Sequence, residues 1–293
     1  MSASRARRRP DRVIATPAGA RAAVLDVIRH ARRQLTLSLF RCTDDAIIVE
    51  IGRAVDRGVQ VDILVTSRSK GKKKLRRLWE ALDTTGAAIH PHTDPVVKYH
   101  AKYLIADNGP ALVASLNFTR KCFESTVDAL VITHDPAVVD GLRRLHVADR
   151  EGERLPRNLP ERLIVGPERA RRQLSALIEG ARSSVRIIDA KLSDPVLTKL
   201  LEARRREGLT VDVYSAKRLN GLRSHGKLML VDNTVAVVGS LALAALSLDF
   251  RREVALVVQE PAAVAVVARL FDSIAASAST PGAAPDVEGR PSC

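Results

Sequence analysis

The chain has 293 residues, of which 46% are hydrophobic and 3% aromatic, and it carries a formal charge of +14 at pH 7. This length suffices for two lobes of about 130 residues each, and the absence of any run of 18 apolar residues argues against a membrane-spanning helix. The basic excess, with a pI near 10.3, favours a polyanionic partner, either nucleic acid or an anionic bilayer, although an arginine-rich solvated surface is the alternative explanation.

Helices and strands alternate in the first half of the chain. After a basic N-terminal arm at residues 1–14, the pattern predicts a helix at 18–33, a strand at Gln34–Phe40, a helix near 44–57 and a strand at Val59–Val65. Strands that alternate with helices in this way indicate a parallel or mixed sheet covered by helices. We assign residues 15–149 to a first lobe.

A basic insert at residues 66–95 distinguishes the first half from the second and adds about 24 residues. It opens with a cationic cluster, called here the basic rim, which consists of Lys72, Lys73, Lys74, Arg76 and Arg77. It continues as a helix with one apolar face, formed by Leu75, Leu78, Trp79 and Leu82. We predict that the rim binds polyanions beside a catalytic mouth, and the amphipathic helix suits an anionic bilayer surface. The alternative is an ordinary solvated cationic helix face.

The second half repeats the same alternation. Its pattern predicts a helix at 167–182, a strand at Ser184–Asp189, a helix near 193–207 and a strand at Thr210–Tyr214. Two prolines within residues 150–160 mark a linker, so the second lobe covers residues 161–277, and residues 278–293 have the composition of a disordered tail. Lys217, Arg218 and Arg223 precede the second motif described next, and we expect them to face the same cleft.

A pattern of His, Lys and Asp occurs twice, 125 residues apart. The first copy is His100, Lys102 and Asp107, and the second is His225, Lys227 and Asp232. Each His-x-Lys lies in a strand-like stretch, where side chains two residues apart point to the same face. His and Lys of each copy should therefore face one site together, whereas each Asp lies at a turn too far along the strand to reach it. We interpret the two Asp residues as structural.

An acidic residue follows each motif at the same distance. Asp128 lies thirteen residues after Ser115, and Glu253 lies thirteen residues after Ser240. Each acid opens an apolar stretch that is typical of a buried strand, where a carboxylate needs a partner. A His Nδ1–H is the natural partner, because it fixes the ring tautomer and leaves Nε2 free to react. We predict the same-half pairs Asp128–His100 and Glu253–His225.

With these residues the chain resembles the phospholipase D superfamily, whose mark is H-x-K-x4-D-x6-G-S-x-N present twice. The resemblance covers residues 15 to 275. It implies an α/β fold of two similar lobes, each a mixed sheet flanked by helices, with one active site between them and a covalent phosphohistidine intermediate. The catalytic residues that it implies are His100, Lys102, His225, Lys227, Asn117, Asp128 and Glu253, and Ser115 and Ser240 are the implied phosphate-binding residues.

Two positions depart from the family's pattern. Ala114 replaces a glycine, which is a mild change, and Ala242 replaces the second asparagine. The second change removes one amide donor from the phosphate site, which costs up to a few kcal/mol of transition-state stabilisation where nothing replaces the donor. Asn117 then carries the amide role alone. Ala242 is also the best support for an alternative class, a non-catalytic relative that only binds polyanions.

The leading hypothesis is a phosphodiesterase that needs no metal or other cofactor. His100 attacks phosphorus, His225 donates a proton to the leaving oxygen, and the two lysines and Asn117 hold the phosphoryl oxygens. A phospholipid is the favoured substrate, with hydrolysis or phosphatidyl transfer as the outcome. DNA or RNA is the alternative, since positive charge serves both. The low aromatic content argues against a stacking platform for single strands.

The cysteines and the N-terminus bear on the compartment. Cys42, Cys122 and Cys293 have neither the number nor the spacing of a disulfide framework or a structural zinc site. The basic stretch Met1–Arg12 has no apolar segment behind it, so no secretory signal is predicted. We therefore predict a cytoplasmic protein that contacts the inner membrane surface peripherally.

Overall fold

The computed structural model describes residues 9–68 and 71–279. The strands of the first half are β1 (Arg12–Ile14), β2 (Gln34–Leu39), β3 (Gln60–Thr66), β4 (Ala88–His92), β5 (Lys98–Tyr99), β6 (Tyr103–Ala106), β7 (Ala111–Ala114), β8 (Thr126–Val127) and β9 (Leu130–Thr133). Its helices are α1 (Pro17–His30), α2 (Asp45–Asp56), α3 (Lys72–Asp83), α4 (Arg120–Ser125) and α5 (Pro136–Glu151).

The second half contains the strands β10 (Leu163–Val165), β11 (Ser184–Ile188), β12 (Thr210–Tyr214), β13 (Arg218–Leu219), β14 (Leu222–Ser224), β15 (Lys227–Val231), β16 (Val235–Gly239), β17 (Arg251–Arg252) and β18 (Val254–Val258). Its helices are α6 (Ala170–Glu179), α7 (Pro195–Arg206), α8 (Ala245–Phe250) and α9 (Pro261–Ser279). Within the described part of the chain, no helix combines the length and the hydrophobicity that a bilayer crossing requires.

The two large sheets share one topology. The first has the order β1-β9-β7-β6-β2-β3-β4, and the second has the order β10-β18-β16-β15-β11-β12. In both, the strands connected through a helix run parallel and the strands connected by tight turns run antiparallel. The predicted α/β fold of two similar lobes with mixed sheets is therefore confirmed.

Each lobe fixes its second helix by the same device. The side chain of Asp44 caps α2 by accepting the N–H of Ile47, and Asp194 caps α7 by accepting the N–H of Leu197. An arginine of the preceding helix then binds the capping carboxylate, at 2.7 Å in the first lobe and 2.8 Å in the second. The repeated cap explains why both predicted helices begin where the sequence indicated.

The insert supplies α3 and β4, the additional edge strand of the first sheet. Helix α3 is confirmed, and it crosses from β3 to the parallel strand β4. Leu78 and Leu82 are buried in the core of the first lobe, and Trp79 packs against that core. The apolar face of α3 therefore belongs to the lobe's interior, which leaves only its cationic face for a partner.

The predicted terminal segments overlap the folded lobes. Arg12–Ile14, assigned from sequence to the basic arm, pairs as β1 with β9 and belongs to the first sheet. Three residues are too few to show the alternation of apolar and polar side chains by which a strand is recognised in a sequence. Helix α5 extends into the predicted linker, and α9 extends into the predicted tail. The rest of the arm and of the tail, residues 1–8 and 280–293, lies outside the described residues.

A single apolar core joins the lobes. Its members include Val113 and Val131 of the first sheet and Val238 and Leu256 of the second, all of them buried. Separate apolar clusters lie under the outer helices of each lobe. Because burying each such side chain contributes roughly 1.5–3 kcal/mol, the shared core holds the lobes in a fixed relative position.

Two short ladders cross between the lobes. Strand β5 pairs in parallel with β17, and β8 pairs in parallel with β14. Backbone bonds continue both ladders, because the N–H of His100 donates to Arg252 at 2.9 Å and that of Gly226 donates to Val127 at 2.7 Å. The residues that follow the paired strands are thereby brought together in pairs from opposite lobes.

The motif aspartates are structural, as predicted. The carboxylate of Asp107 accepts the backbone N–H groups of residues 32–34 at 2.7–3.0 Å, and that of Asp232 accepts those of residues 182–184 at 2.7–2.9 Å. Partial burial raises each pKa, but these bonds outweigh burial and lower the pKa of both, to about 2 for Asp232. Each carboxylate thus ties a turn to the start of a central strand.

Candidate active site

The histidines lie between the lobes, and each contacts the acid of the other half. Nδ1 of His225 lies 3.0 Å from both carboxylate oxygens of Asp128. Nδ1 of His100 lies 2.6 Å from Oε1 of Glu253. The predicted same-half pairs are therefore wrong. The reason is the pair of interlobe ladders: His100 follows β5 and Glu253 follows β17, whereas His225 follows β14 and Asp128 follows β8.

The two contacts differ in quality. His225 and Asp128 form a hydrogen bond, whereas Oε1 of Glu253 has no aligned hydrogen-bond donor among the described residues despite its closeness to His100. Glu253 is instead held through Oε2, which accepts the hydroxyl of Ser247 and the backbone N–H of Ala242. The geometry therefore orients the ring of His225 more tightly than that of His100.

Both motif lysines fold back onto their histidines. Nζ of Lys102 donates to the backbone oxygen of His100 at 2.6 Å and lies 3.2 Å from its Nδ1. Nζ of Lys227 donates to the backbone oxygen of His225 in the same way. Asn117 reaches across the lobes, with its Nδ2 at 3.5 Å from Nε2 of His225. Imidazole, ammonium and amide groups thus converge on one point, as the sequence predicted for one site.

The motif serines have a different place from the one predicted. Ser115 is fully buried, and its hydroxyl donates to Oδ1 of Asp128 at 2.6 Å. Ser240 is also fully buried, and its hydroxyl bonds the backbone of Val254. Neither hydroxyl is exposed to a phosphate, so the predicted phosphate-binding role is corrected to support of the acid-bearing strands. Strand periodicity alone did not reveal which face of the sheet each serine would occupy.

A family model for the cardiolipin synthase, phospholipase D-like domain matches residues 24–146 and 162–275. The chain belongs to the phospholipase D superfamily. Membership supports a phosphodiester-transfer chemistry for this phospholipase D-like chain. No curated protein sequence is significantly similar to it.

Solved structures share the phospholipase D-like fold. Polyphosphate kinase from Porphyromonas gingivalis is 20% identical with a TM-score of 0.74 over 90% of this chain and 47% of that chain. Phosphatidylserine synthase from Haemophilus influenzae Rd KW20 is 13% identical with a TM-score of 0.66 over 90% of this chain and 86% of that chain. The chain thus spans about half the length of the kinase. At these identities the likeness concerns the fold alone.

A cleft of about 730 Å³ opens at the two histidines of this phospholipase D-like site. Seven cationic side chains line it: Lys121, Lys191, Lys217, Arg218, Arg223, Lys227 and Arg251. The positions of Lys217, Arg218 and Arg223 are as predicted, and Lys121, Lys191 and Arg251 were missed. Lys191 had a usable signal, since it follows the carboxyl end of β11, where α/β sheets bind ligands. Ala190 is the one aliphatic side chain of the lining.

The basic rim does not line this cleft. Its five cations are exposed on α3, which begins after the carboxyl end of β3. The adjacent parallel strand β2 ends beside Phe40, whose ring centroid lies 4.3 Å from that of His100. The rim and the cleft therefore both lie at the carboxyl ends of the parallel strands β2 and β3 of the first sheet. The polyanion-binding role of the rim stays a prediction.

Burial and charge set the ionisation of the site. Burial, followed by the positive charges of Lys102 and Lys227, lowers the pKa of His100 well below its ordinary value. Burial lowers the pKa of His225 too, but there the charge of Asp128 and its hydrogen bond oppose the shift. Burial also lowers the pKa of Lys102, to about 7. The lowered pKa values favour the neutral form of both imidazoles, but only at His225 does a neighbouring acid oppose the shift, so His225 is the more readily protonated of the two.

The pKa values of the two acids also differ, and Asp128, the acid beside His225, is the one that favours its charged form. Burial raises the pKa of Glu253, and the surrounding bonds do not reverse this. Burial also opposes ionisation of Asp128, but the charge of His225 and its hydrogen bonds lower its pKa overall. Asp128 thus carries a firm negative charge next to His225. Sequence reasoning treated the two acids as equivalent, because it had no measure of their surroundings.

One set of side chains has the chemistry to hold a metal. Ligand atoms of Cys122, Asp128 and His225 lie within 4.8 Å of one another, and they are the set with this property among residues 9–68 and 71–279. The sequence predicted no metal ligands, because the three residues are far apart or irregularly spaced in the chain. Cys122 is on α4, Asp128 lies just before β9, and His225 follows β14 in the other half. Only the interlobe contact brings them together.

Proposed function

We propose that the chain cleaves phosphodiesters through a phosphohistidine formed on His100. Nε2 of His100 attacks phosphorus, and His225 donates its proton to the leaving oxygen as that bond breaks. His225 then takes a proton from water or an alcohol, which attacks the same phosphorus and breaks its bond to His100. Lys102, Lys227 and Asn117 hold the phosphoryl oxygens, where negative charge accumulates. The crossed histidine–acid contacts are the observation that carries this proposal.

The assignment of roles rests on the different surroundings of the two imidazoles. A nucleophile has to be neutral, and the lowered pKa of His100 favours that form. A general acid has to be protonated, and the charge and hydrogen bond of Asp128 limit the lowering of the His225 pKa by burial, so His225 is the more readily protonated imidazole. The contact between His100 and Glu253 is poorly aligned for a hydrogen bond, which suits an imidazole ring that has to move as its Nε2 bonds to phosphorus.

For the substrate we propose nucleic acid, in place of the phospholipid that the sequence favoured. Of the thirteen residues that line the cleft, seven are cationic, one is acidic and one is aliphatic, so it suits consecutive phosphates better than acyl chains. The apolar face of α3, which suited a bilayer surface, is packed into the first lobe. A phospholipid headgroup remains the second candidate, because the matching family model is that of a cardiolipin synthase-like domain.

The test is side-by-side turnover on single-stranded DNA, RNA, plasmid DNA, phosphatidylglycerol vesicles and phosphatidylcholine vesicles. Bis(4-nitrophenyl) phosphate serves as a generic diester in the same series. Cleavage of nucleic acid that persists in chelator supports both parts of the proposal. Turnover on lipid alone overturns the substrate, and binding of DNA with no turnover on any diester identifies a non-catalytic polyanion-binding relative.

The lowered pKa of Lys102 predicts the pH dependence of activity. The ammonium form of Lys102 holds phosphoryl oxygens and the neutral amine does not, so kcat/KM should fall as pH rises through about 7. Loss of the proton from His225, whose pKa is also lowered, adds to the fall in the same direction. On the acid side His100 stays neutral to well below its ordinary pKa, so activity should persist there. A kcat/KM profile on bis(4-nitrophenyl) phosphate checks this. In Lys102→Arg the part of the alkaline fall near pH 7 should disappear while the part due to loss of the His225 proton stays, and an unchanged profile in that variant assigns the whole fall to another group.

Replacing all five rim cations with Gln should weaken DNA binding and reduce its dependence on salt. Each lost phosphate contact lowers the slope of log K against log salt by about 0.9. Turnover of bis(4-nitrophenyl) phosphate should not change, because the rim does not line the cleft. A control for position replaces Arg182 and Arg206 with Gln, because both are exposed and lie just before β11 and at the end of α7, away from the carboxyl end of β11 that faces the cleft. Equal salt slopes in the rim variant and the wild type would identify the rim as a solvated surface.

A further inference from the structure

A cysteine lies beside the better-ordered histidine–acid pair. Cys122 is on α4, is 7% exposed, and offers its sulfur within 4.8 Å of ligand atoms of Asp128 and His225. Cys122 takes no part in the steps proposed above. His225 and Ser125, the end of α4, both line the cleft, so this cluster has a path to solvent.

The second half shows what occupies the equivalent position there. The spacing of 125 residues between the motifs relates Cys122 to Ser247, and α4 to α8. The hydroxyl of Ser247 donates to Glu253. In the first half that kind of donor comes from Thr126, whose hydroxyl lies 2.6 Å from Oδ2 of Asp128. Cys122 therefore does not have to donate a hydrogen bond to the acid as Ser247 does. The first half has a thiol, which is a soft metal ligand, where the second half has a hydroxyl.

We propose that Cys122, Asp128 and His225 form an inhibitory binding site for a thiophilic divalent cation such as Zn²⁺. Sulfur, carboxylate oxygen and imidazole nitrogen are its usual protein ligands, and three protein ligands leave a fourth position for water. The thiolate and carboxylate together neutralise the two charges of the cation. Binding to Nδ1 moves the ring proton of neutral His225 to Nε2, and the thiol proton passes to solvent.

This inference rests on the proposed function, because the metal would act on the general acid. A His225 ring bound to metal through Nδ1 presents a neutral N–H at Nε2, which neither accepts a proton from water nor donates one readily to a leaving oxygen. Asp128 would bind the cation and no longer stabilise an imidazolium. Zn²⁺ should therefore inhibit turnover although the reaction itself requires no metal.

The first measurement is inhibition of bis(4-nitrophenyl) phosphate turnover by Zn²⁺ in the wild type and in Cys122→Ser. Serine is the residue that the second half carries at this position, so the variant should keep its basal activity. Loss of the thiolate should raise the inhibitory Zn²⁺ concentration at least tenfold, since even outer-shell changes cost about 10–100-fold in metal affinity. Cys42→Ser, which alters the other buried cysteine of the described residues, is the matched control and should be inhibited like the wild type.

The second measurement is direct binding of Co²⁺, followed by the thiolate-to-metal absorption band in the near ultraviolet. The band should appear in the wild type and in Cys42→Ser and be absent in Cys122→Ser. This readout does not depend on turnover, so an inactive protein that still gives the band disproves the phosphodiesterase and keeps the metal site. Equal Zn²⁺ inhibition of wild type and Cys122→Ser, or no thiolate band in the wild type, overturns the site.

Discussion

Replacing His225 with Ala should abolish turnover on ordinary diesters while leaving a protein that still becomes labelled on His100. The variant lacks the proton donor for the leaving oxygen and the base for the second step, and general acid–base groups contribute about 10²–10⁴-fold each. A leaving group such as 4-nitrophenolate departs without a proton, so the first step survives. The intermediate then accumulates, because no base activates the water that would hydrolyse it.

Replacing His100 with Ala should abolish both turnover and labelling, because the nucleophile itself is gone. Mass spectrometry after an alkaline quench measures the label, since phosphohistidine is labile in acid. The variants carry the same substitution at related positions, so each is the other's control for folding and for cleft charge. A label found on His225 of the wild type or of His100→Ala would reverse the assignment of the two roles.

The second large effect tests the crossed contacts. Asp128→Asn should behave like His225→Ala, with lost turnover and accumulated label, because Asp128 orients and charges His225. Glu253→Gln should behave like His100→Ala, with little label formed, because Glu253 is the acid next to His100. Loss of an orienting carboxylate that fixes a catalytic tautomer costs up to about 10⁴-fold in kcat.

The same-half pairing predicts the opposite assignment of the two phenotypes, so one labelling experiment separates the arrangements. Because residues that act as a unit are not additive, Asp128→Asn combined with His225→Ala should be no slower than His225→Ala alone. Asp189→Asn is the control, since Asp189 lines the cleft and bonds the N–H groups of Lys191 and Leu243 without contacting either histidine. Accumulated label in Glu253→Gln but not in Asp128→Asn would disprove the crossed arrangement.

The sequence by itself determined the elements and the chemistry of the site. The alternation of helices and strands, the amphipathic α3 and the turn positions of Asp107 and Asp232 are local features, set by side-chain periods of 3.6 and 2 residues. That the two His-x-Lys motifs serve one site followed from the family resemblance, and the strand expected at each motif is only partly present, because residues 100–102 lie between β5 and β6 and residues 225–226 between β14 and β15. Of the cationic side chains that line the cleft, Lys121, Lys191 and Arg251 were not anticipated, because the charge of a residue does not show which loops meet in the fold.

Tertiary structure alone decided how the two halves combine. Residue spacing repeats identically in both halves, so it is compatible with either pairing of histidines and acids. The choice was made by β5 with β17 and β8 with β14, ladders of two residues each that form only because the shared core fixes the lobes against one another. The same non-local contact brought Cys122 to His225. Interlobe register depends on packing between residues far apart in the chain, and no local period encodes it.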